Sequence, residues 1–169
     1  MINLTAQPLT QKSFSPFGEV IELEHAHQIP INQGHTIRFH DLINIDATDR
    51  GGRAIISVFR TDPLSLPHRV KLMERHPFGS QAFYPMDQDP FLVLVADSGD
   101  KVTASNLHLF VTNGRQGINL HKNTWHHFQI GLNRQRDFFV VDRGGDGTNL
   151  EEVVIEEAVQ IPENIIHNL

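Results

Sequence analysis

The sequence predicts an all-β fold, a sandwich or barrel of antiparallel strands with hardly any helix. Short segments of alternating or continuous apolar residues recur along the chain, roughly ten of them, a pattern typical of a multi-stranded β-domain. Turn signals rich in Gly, Pro, Asn and Asp separate these segments. No repeat or low-complexity segment interrupts the pattern. The chain is therefore expected to bury its core between facing strands.

The predicted elements follow in order. A short helix is predicted over Gln11–Ser15, with Thr10 as its N-cap. The polar segment His25–Gly34 is predicted to be a loop, and Asn113-Gly114 a tight turn. The predicted strands are Gly18–Glu24, Thr36–Leu42, Ala54–Arg60, Val70–His76, Gln81–Pro85, Phe91–Ala96, Asn106–Thr112, Ile118–Leu120, Trp125–Gly131 and Asp137–Asp142.

The glycine-rich segment 144–147 closes the compact part of the chain. Residues 1–147 are therefore predicted to form one β-barrel catalytic domain. Residues 148–169 are predicted to be a C-terminal tail or an edge strand packed on the same domain, because their apolar alternation is weak.

Composition limits the classes of function. At 169 residues, with 39% hydrophobic and 20% charged residues, the chain is expected to be one globular domain. A formal charge of −6 argues against nucleic-acid binding, and no apolar run approaches the ~20 residues of a membrane span. The absence of cysteine excludes disulfides and thiolate metal sites. Without a recognisable signal peptide, a cytoplasmic enzyme or binding protein is expected.

A polar group of residues interrupts the strand that begins at Val70. Alternation places Val70 and Leu72 on one face, and continuing it puts Glu74 and His76 on that same core face. After the break at residues 77–79, Gln81 joins the same wall. Because burying such groups without partners costs several kcal/mol, roughly, they are expected to compensate one another in a site.

The segment His121–His127 supplies a second half of this site. Alternation groups His126 with Phe128 and Ile130 on an interior face, so His126 is predicted to be the inward ligand and His127 a rim residue. Together with Glu74 and His76, His126 would form a site with nitrogen and oxygen ligands for a divalent transition metal. Gln81 would be a weak fourth ligand. The alternative is a hydrogen-bonded polar network around a substrate, without metal.

Two motifs resemble those of cupins. The segment Glu74-x-His76-x(4)-Gln81 resembles the first cupin motif, His-x-His-x(3–4)-Glu, with two ligands altered, and His126 stands where the second motif has its His. Five longer blocks resemble the ureidoglycolate lyase family of allantoin breakdown, formerly called ureidoglycolate hydrolase. These blocks are residues 38–42, 74–83, 110–119, 121–127 and 137–145.

The resemblance implies a cupin-like double-stranded β-helix, usually a homodimer, that cleaves ureidoglycolate into glyoxylate and urea with a divalent metal, nickel or manganese. The catalytic candidates are Glu74, His76, His126 and Lys122. The candidates for substrate binding are Arg38, Gln81, Tyr84, His121, Trp125 and Arg143.

Simpler structural roles remain open for several of these residues. Trp125 could serve packing alone, Arg38 could face solvent, and Asp142-Arg143 could form a structural salt bridge. Six further histidines have no assigned role beyond the surface or packing: His25, His27, His35, His68, His108 and His167. Two other functions also remain open: a hydrolase that releases ammonia and carbon dioxide, and a cupin that only binds a small acid.

Overall fold

The computed structural model of the protein describes residues 1–166, so His167 and the last two residues of the predicted tail lie outside the described residues. One α-helix, α1 (Gln11–Phe14), is capped by Thr10 as predicted. The strands are β1 (Ile2–Asn3), β2 (Ala6–Pro8), β3 (Gly18–Ile21), β4 (His27–Ile31), β5 (Thr36–His40), β6 (Arg53–Thr61), β7 (His68–Arg75), β8 (Gln81–Pro85), β9 (Leu92–Ala96), β10 (Leu107–Val111), β11 (Gly117–Leu120), β12 (Trp125–His126), β13 (Arg136–Gly144) and β14 (Glu151–Ile161). Four 3₁₀ turns cover Asn32–Gly34, Asp49–Gly51, Ala104–Asn106 and Glu163–Ile166.

Most strands belong to two sheets that form a cupin-like jelly roll, which confirms the predicted all-β fold. The larger sheet has the strand order β1-β14-β7-β12-β9-β10-β2, and the smaller has the order β3-β11-β8-β13-β6. Consecutive strands often lie in different sheets. The turn at Asn113-Gly114, for example, carries the chain from β10 in one sheet to β11 in the other.

The apolar residues form two clusters because both faces of the larger sheet are covered. Alternate residues of β9 belong to different clusters: Val93 and Val95 join one, Leu92 and Leu94 the other. The cluster that contains Val93 and Val95 also contains Phe83 of the smaller sheet, so it is the core between the two sheets. The face of β9 that carries Val95 therefore looks into the barrel.

The C-terminal segment is integrated into the larger sheet. Strand β14 pairs antiparallel with β7 over most of its length, and β1 lies parallel along its other side. Because β7 carries Glu74, the segment after residue 148 supports the candidate site directly.

Two local predictions of secondary structure were wrong. The predicted loop His25–Gly34 contains β4, which pairs with β5 to form a separate two-stranded sheet. Pro30 is compatible with this strand because β4 has only one neighbour, so its missing N–H breaks no second ladder. The predicted strand Trp125–Gly131 ends at His126.

The predicted core face of β7 was also wrong in part. Val70 is fully buried, but Leu72 is 41% exposed and Met73 is buried instead. The ladder with β14 is irregular at this point: Val159 pairs with Val70, but Val154 pairs with Leu72. The alternation along β7 changes at the same point, since Val70 and Met73 belong to one apolar cluster.

Candidate active site

Strands β7 and β12 place Glu74 beside His126. The two residues face each other across the antiparallel ladder, and the carboxylate Oε1 lies 3.4 Å from the imidazole Nε2. On its other side His126 pairs with Val95, a residue of the core between the sheets. The His126 side chain is 2% exposed, whereas Glu74 remains partly open to solvent. The site therefore has a buried imidazole and a carboxylate that a small molecule can reach.

His76 completes a cluster of three ionisable residues. It follows β7 directly, and its ring centroid lies 5.1 Å from that of His126. One ligand atom from each of Glu74, His76 and His126 lies within 4.8 Å of the others. The structure thus brings together three residues that the sequence predicts to converge from two distant segments.

Backbone carbonyls fix the orientation of both imidazoles. His126 Nδ1 lies 2.9 Å from the carbonyl oxygen of Thr124, and His76 Nδ1 lies 2.7 Å from that of Asn149. Since a carbonyl oxygen only accepts, each Nδ1 carries the proton and donates it. Both Nε2 atoms are therefore directed toward the cluster.

Gln81 extends the cluster on the smaller sheet. Its amide Nε2 donates to Asp142 Oδ2 at 3.3 Å, which leaves its carbonyl Oε1 facing His76 Nε2 at 3.1 Å. His126 Nε2 is buried and has no hydrogen-bond partner among the described residues. Carbonyl, carboxylate and imidazole lone pairs therefore converge on one point.

This donor set fits a divalent transition metal. Two imidazoles and one carboxylate with open positions are a known ligand set for such ions. Metal-bound His residues commonly donate their other N–H to a backbone carbonyl, as both His76 and His126 do here. Glu74, His76 and His126 are the residues that would hold the ion, with Gln81 Oε1 beside them.

The surroundings keep Glu74 ionised. The adjacent His126 imidazole is the main cause that lowers the pKa of the Glu74 carboxyl, burial opposes this by raising it, and the imidazoles of His76 and His127 lower it further. The net direction is down, so Glu74 is a carboxylate at neutral pH.

Lys122 lies on the loop of residues 121–123, which contacts the end of β7 and is called here the mouth of the site. The backbone N–H of Asn123 donates to the carbonyl of His76, which attaches this loop to the end of β7. Lys122 Nζ lies 3.1 Å from Asp46 Oδ2 and 2.9 Å from Asp49 Oδ2. Hydrogen bonds to these carboxylates raise the pKa of Lys122, so it stays charged. His121, on the same loop, is exposed.

The predicted arginines lie apart from the cluster. Arg38 is exposed on β5, in the separate hairpin. Arg143 is buried, and it donates to the carbonyls of Asp49 and Asp146. Gly52 and Gly79 leave no room for a Cβ against the Arg143 side chain, so this packing depends on both glycines. No ion pair between Asp142 and Arg143 occurs within residues 1–166, which leaves the salt-bridge interpretation without support.

Tyr84 and Trp125 are also directed away from the cluster. Tyr84 lines a separate depression with Glu22 and Arg115. Trp125 belongs to the cluster on the opposite face of the larger sheet, where its indole N–H donates to the carbonyl of Gly99 and Arg75 lies 4.3 Å above its ring. This geometry favours the packing role for Trp125.

The predicted exposures of the two residues after His126 were wrong. His127, predicted at the rim, is 6% exposed, whereas Phe128, predicted inside, is 49% exposed. A regular ladder from the His126–Val95 pair would bring Gln129 opposite Leu92, but Ile130 occupies that place. His127 continues the ladder opposite Leu94, on a face that the second apolar cluster covers, and one extra residue bulges out after it, so that Ile130 joins this second cluster.

The buried His127 pairs with the half-buried His68. Their Nε2 atoms lie 3.3 Å apart, and His127 Nδ1 donates to the carbonyl of Phe128. Burial is the main cause that lowers the pKa of His127 to about 4. Burial likewise lowers the pKa of His68. Both imidazoles are therefore neutral at pH 7.

The buried, neutral His127 predicts a loss of stability in acid. Between pH 6.5 and about 4 the unfolded chain binds a proton at residue 127 and the folded chain does not, so the free energy of unfolding falls as pH falls. The contribution of His127 is at most about 3 kcal/mol. In urea titrations from pH 7.5 to 4.5, His127→Gln should lose less stability than the wild type. The exposed His35→Gln should match the wild type, and equal slopes in all three proteins would contradict this account.

Four contacts that orient the site were not predicted. The carbonyls of Thr124 and Asn149 hold the imidazoles, and the Asn149 side chain also accepts from the N–H of Phe78. Backbone carbonyls leave no signal in a sequence. Asp142 lies in the block 137–145, but nothing in the pattern shows that it reaches Gln81.

A jelly roll that carries one carboxylate and two imidazoles on its inner wall defines the class as cupin-like, with a polar site suited to a divalent metal. Comparison with known proteins identifies the family within this class. The family model described as ureidoglycolate lyase matches residues 1–162, so the chain belongs to the ureidoglycolate lyase family. This confirms the resemblance found in the sequence.

Curated relatives agree with the family model. A ureidoglycolate lyase of Burkholderia mallei is 49% identical over 166 residues, which cover 98% of this chain and 97% of the relative. One of Pseudomonas syringae pv. tomato is 46% identical and covers 93% and 92%. One of Pseudomonas putida is 45% identical and covers 90% and 91%. No helix within residues 1–166 is long and apolar enough to cross a membrane.

Proposed function

We propose that this chain is a ureidoglycolate lyase that cleaves ureidoglycolate into glyoxylate and urea. The observation that carries the proposal is the Glu74–His76–His126 cluster on the inner wall, together with membership of the family. The substrate is a carbinolamide, whose central carbon bears a hydroxyl, a carboxylate and a ureido nitrogen. Its cleavage moves one proton from the hydroxyl oxygen to the departing nitrogen while the carbon–nitrogen bond breaks.

Glu74 is the proposed base and proton carrier. Its lowered pKa keeps it ionised, and its partial exposure lets it reach the substrate hydroxyl. It takes the hydroxyl proton as the carbonyl of glyoxylate forms, and returns the proton to the urea nitrogen, which receives the electron pair of the broken bond. General acid–base catalysis of this kind typically contributes about 10²–10⁴-fold.

His76 and His126 orient the reacting groups, and with Glu74 they would hold a nickel or manganese ion. Such an ion lowers the pKa of a bound hydroxyl and stabilises the forming carbonyl. Lys122 is the proposed cation for the substrate carboxylate. Its loop is bonded to His76, its raised pKa keeps the ammonium charged, and the substrate carboxylate would compete with Asp46 and Asp49 for it.

Product analysis tests this function. Purified protein incubated with ureidoglycolate should release urea and glyoxylate in equal amounts. Ammonia without urea would overturn the proposal in favour of the hydrolase. Tight glyoxylate binding without turnover would favour a protein that only binds small acids. The cytoplasmic location stays a prediction.

A homodimer is part of the proposal. The outer face of the smaller sheet exposes Ile56 (68%), Val58 (55%) and Phe139 (41%), and Val58 and Phe139 are directly paired. Strand β6 is also the edge of its sheet. A long apolar edge strand of this kind is prone to pairing with another chain, and a second copy would cover it.

Light scattering after size exclusion tests this interface. Val58→Lys should shift the protein from dimer to monomer, because burying a lysine at the centre of the apolar face is unfavourable. Val154→Lys, at an exposed apolar residue of the other sheet, should remain dimeric. A monomeric wild type, or a dimeric Val58→Lys variant, would contradict the proposed interface.

A further inference from the structure

Asp142 has a buried carboxylate oxygen that the described residues leave without a hydrogen-bond partner. Its Oδ2 accepts from the amide of Gln81, but Oδ1 is buried and unpaired. Unpaired buried acceptors are uncommon in folded proteins, and each one calls for a specific explanation.

Strand geometry directs Asp142 toward the candidate site. Phe138 and Val140 of β13 lie in the core between the sheets, and alternation puts Asp142 on that same inner face. Val141 pairs with Ala82, so the next step of the antiparallel ladder brings Asp142 beside Gln81. A single amide group therefore separates the Asp142 carboxylate from His76.

The groups around Asp142 Oδ1 favour a ligand that donates N–H hydrogen bonds. Asp142 Oδ1 offers a carboxylate oxygen as an acceptor, and Gln81 Oε1 also faces the cluster as an acceptor. A carboxylate repels the carboxylate of a substrate, but it matches the N–H groups of a urea, which point away from the urea oxygen. No cationic side chain bonds to Asp142 within residues 1–166.

We propose that Asp142 binds the ureido end of the substrate, with Oδ1 accepting from a ureido N–H. This inference rests on the proposed lyase function, and it names the group that selects a urea as the leaving group. The substrate then lies in one direction across the site. Its ureido end is at Gln81 and Asp142, its hydroxyl at Glu74, and its carboxylate at the mouth near Lys122.

Product inhibition tests the two ends of the substrate separately, because urea corresponds to the ureido end and glyoxylate to the carboxylate end. Asp142→Asn keeps the shape of the side chain and removes the charge; with its own oxygen facing Gln81, it presents an NH₂ group to the ureido N–H. Asp137→Asn is the matched control, because Asp137 lies on the same strand but pairs with Arg60 at the surface. For the wild type and both variants, KM for ureidoglycolate is measured together with inhibition constants for urea and for glyoxylate.

In Asp142→Asn, KM and the inhibition constant for urea should rise together by roughly tenfold to a hundredfold, the effect of a lost hydrogen bond to a charged group. The inhibition constant for glyoxylate should change less than about twofold, since its carboxylate binds at the other end. All three constants should be unchanged in Asp137→Asn. An unchanged urea constant in Asp142→Asn, or an equal rise for glyoxylate, would overturn the inference.

Two further measurements keep the test decisive if Asp142→Asn does not fold. Asp142→Ser retains an acceptor without charge and should show a smaller rise in the urea constant; a rise equal for urea and glyoxylate would count against the inference. Acetone has the shape of urea but no N–H groups. It should therefore not inhibit the wild type at concentrations at which urea does. Competition by acetone as strong as that by urea would overturn the inference. If the wild type releases no urea from ureidoglycolate, the proposed function itself fails.

Discussion

Replacing Glu74 with Gln is expected to lower the turnover of ureidoglycolate at least about a hundredfold, within the usual range for general acid–base catalysis. The amide keeps the size of the carboxylate but cannot take the hydroxyl proton. It also removes the negative charge that lies 3.4 Å from His126 Nε2. Glu74 lies at the end of β7, where a polar side chain is already part-exposed, so the variant should fold.

The measurement is the initial rate of urea release, with circular dichroism and the unfolding midpoint to show that the fold is intact. Glu156→Gln makes the same chemical change at an exposed residue of β14 and should retain the wild-type rate. A folded Glu74→Gln variant with a near-normal rate would remove Glu74 from the mechanism.

Removal of divalent metal should lower the rate of urea release by tenfold or more, since a bound cation contributes several kcal/mol of charge stabilisation, roughly, to such reactions. The physical reason lies in the lone pairs of Glu74, His76 and His126, which converge without a donor among them. Chelation followed by re-addition of nickel, manganese or zinc, one at a time, identifies the ion that restores activity.

A second readout does not depend on activity. A metal that binds the folded state should raise the unfolding temperature of the wild type and leave that of His126→Asn unchanged. Full activity in protein shown to be free of metal by elemental analysis would contradict the metal assignment. The polar network without metal, the alternative left open by the sequence, would then be preferred.

The sequence predicts the site best where the strands are regular. Alternation along β8 correctly groups Gln81 with the buried Phe83. His126 is directed inward as predicted, although Phe128 and Ile130, on which that prediction rested, do not share its face. The prediction fails where single residues break the ladder. His127 is buried because both faces of the larger sheet are covered, and the bulge after it moves Ile130 to the face opposite His126; such bulges depend on tertiary packing that has no local signal.

Long-range pairing accounts for the other differences. The weak alternation of residues 150–169 hides an 11-residue strand, whose stability comes from β7 rather than from its own sequence. Asn149 holds His76 from 73 residues away along the chain. Such contacts depend on the register of β14 against β7, which neither segment specifies alone.

The central claim is that Glu74 and His126, from strands far apart in the chain, act as one catalytic unit. A double-mutant cycle tests it most directly, with urea release measured for Glu74→Gln, His126→Asn and the double variant. The rate of urea release by the double variant should be no more than about threefold below that of the less active single variant, because the effects of substitutions in residues that act as a unit are not additive. If the losses of the two single variants multiply, the residues act independently and the account is wrong.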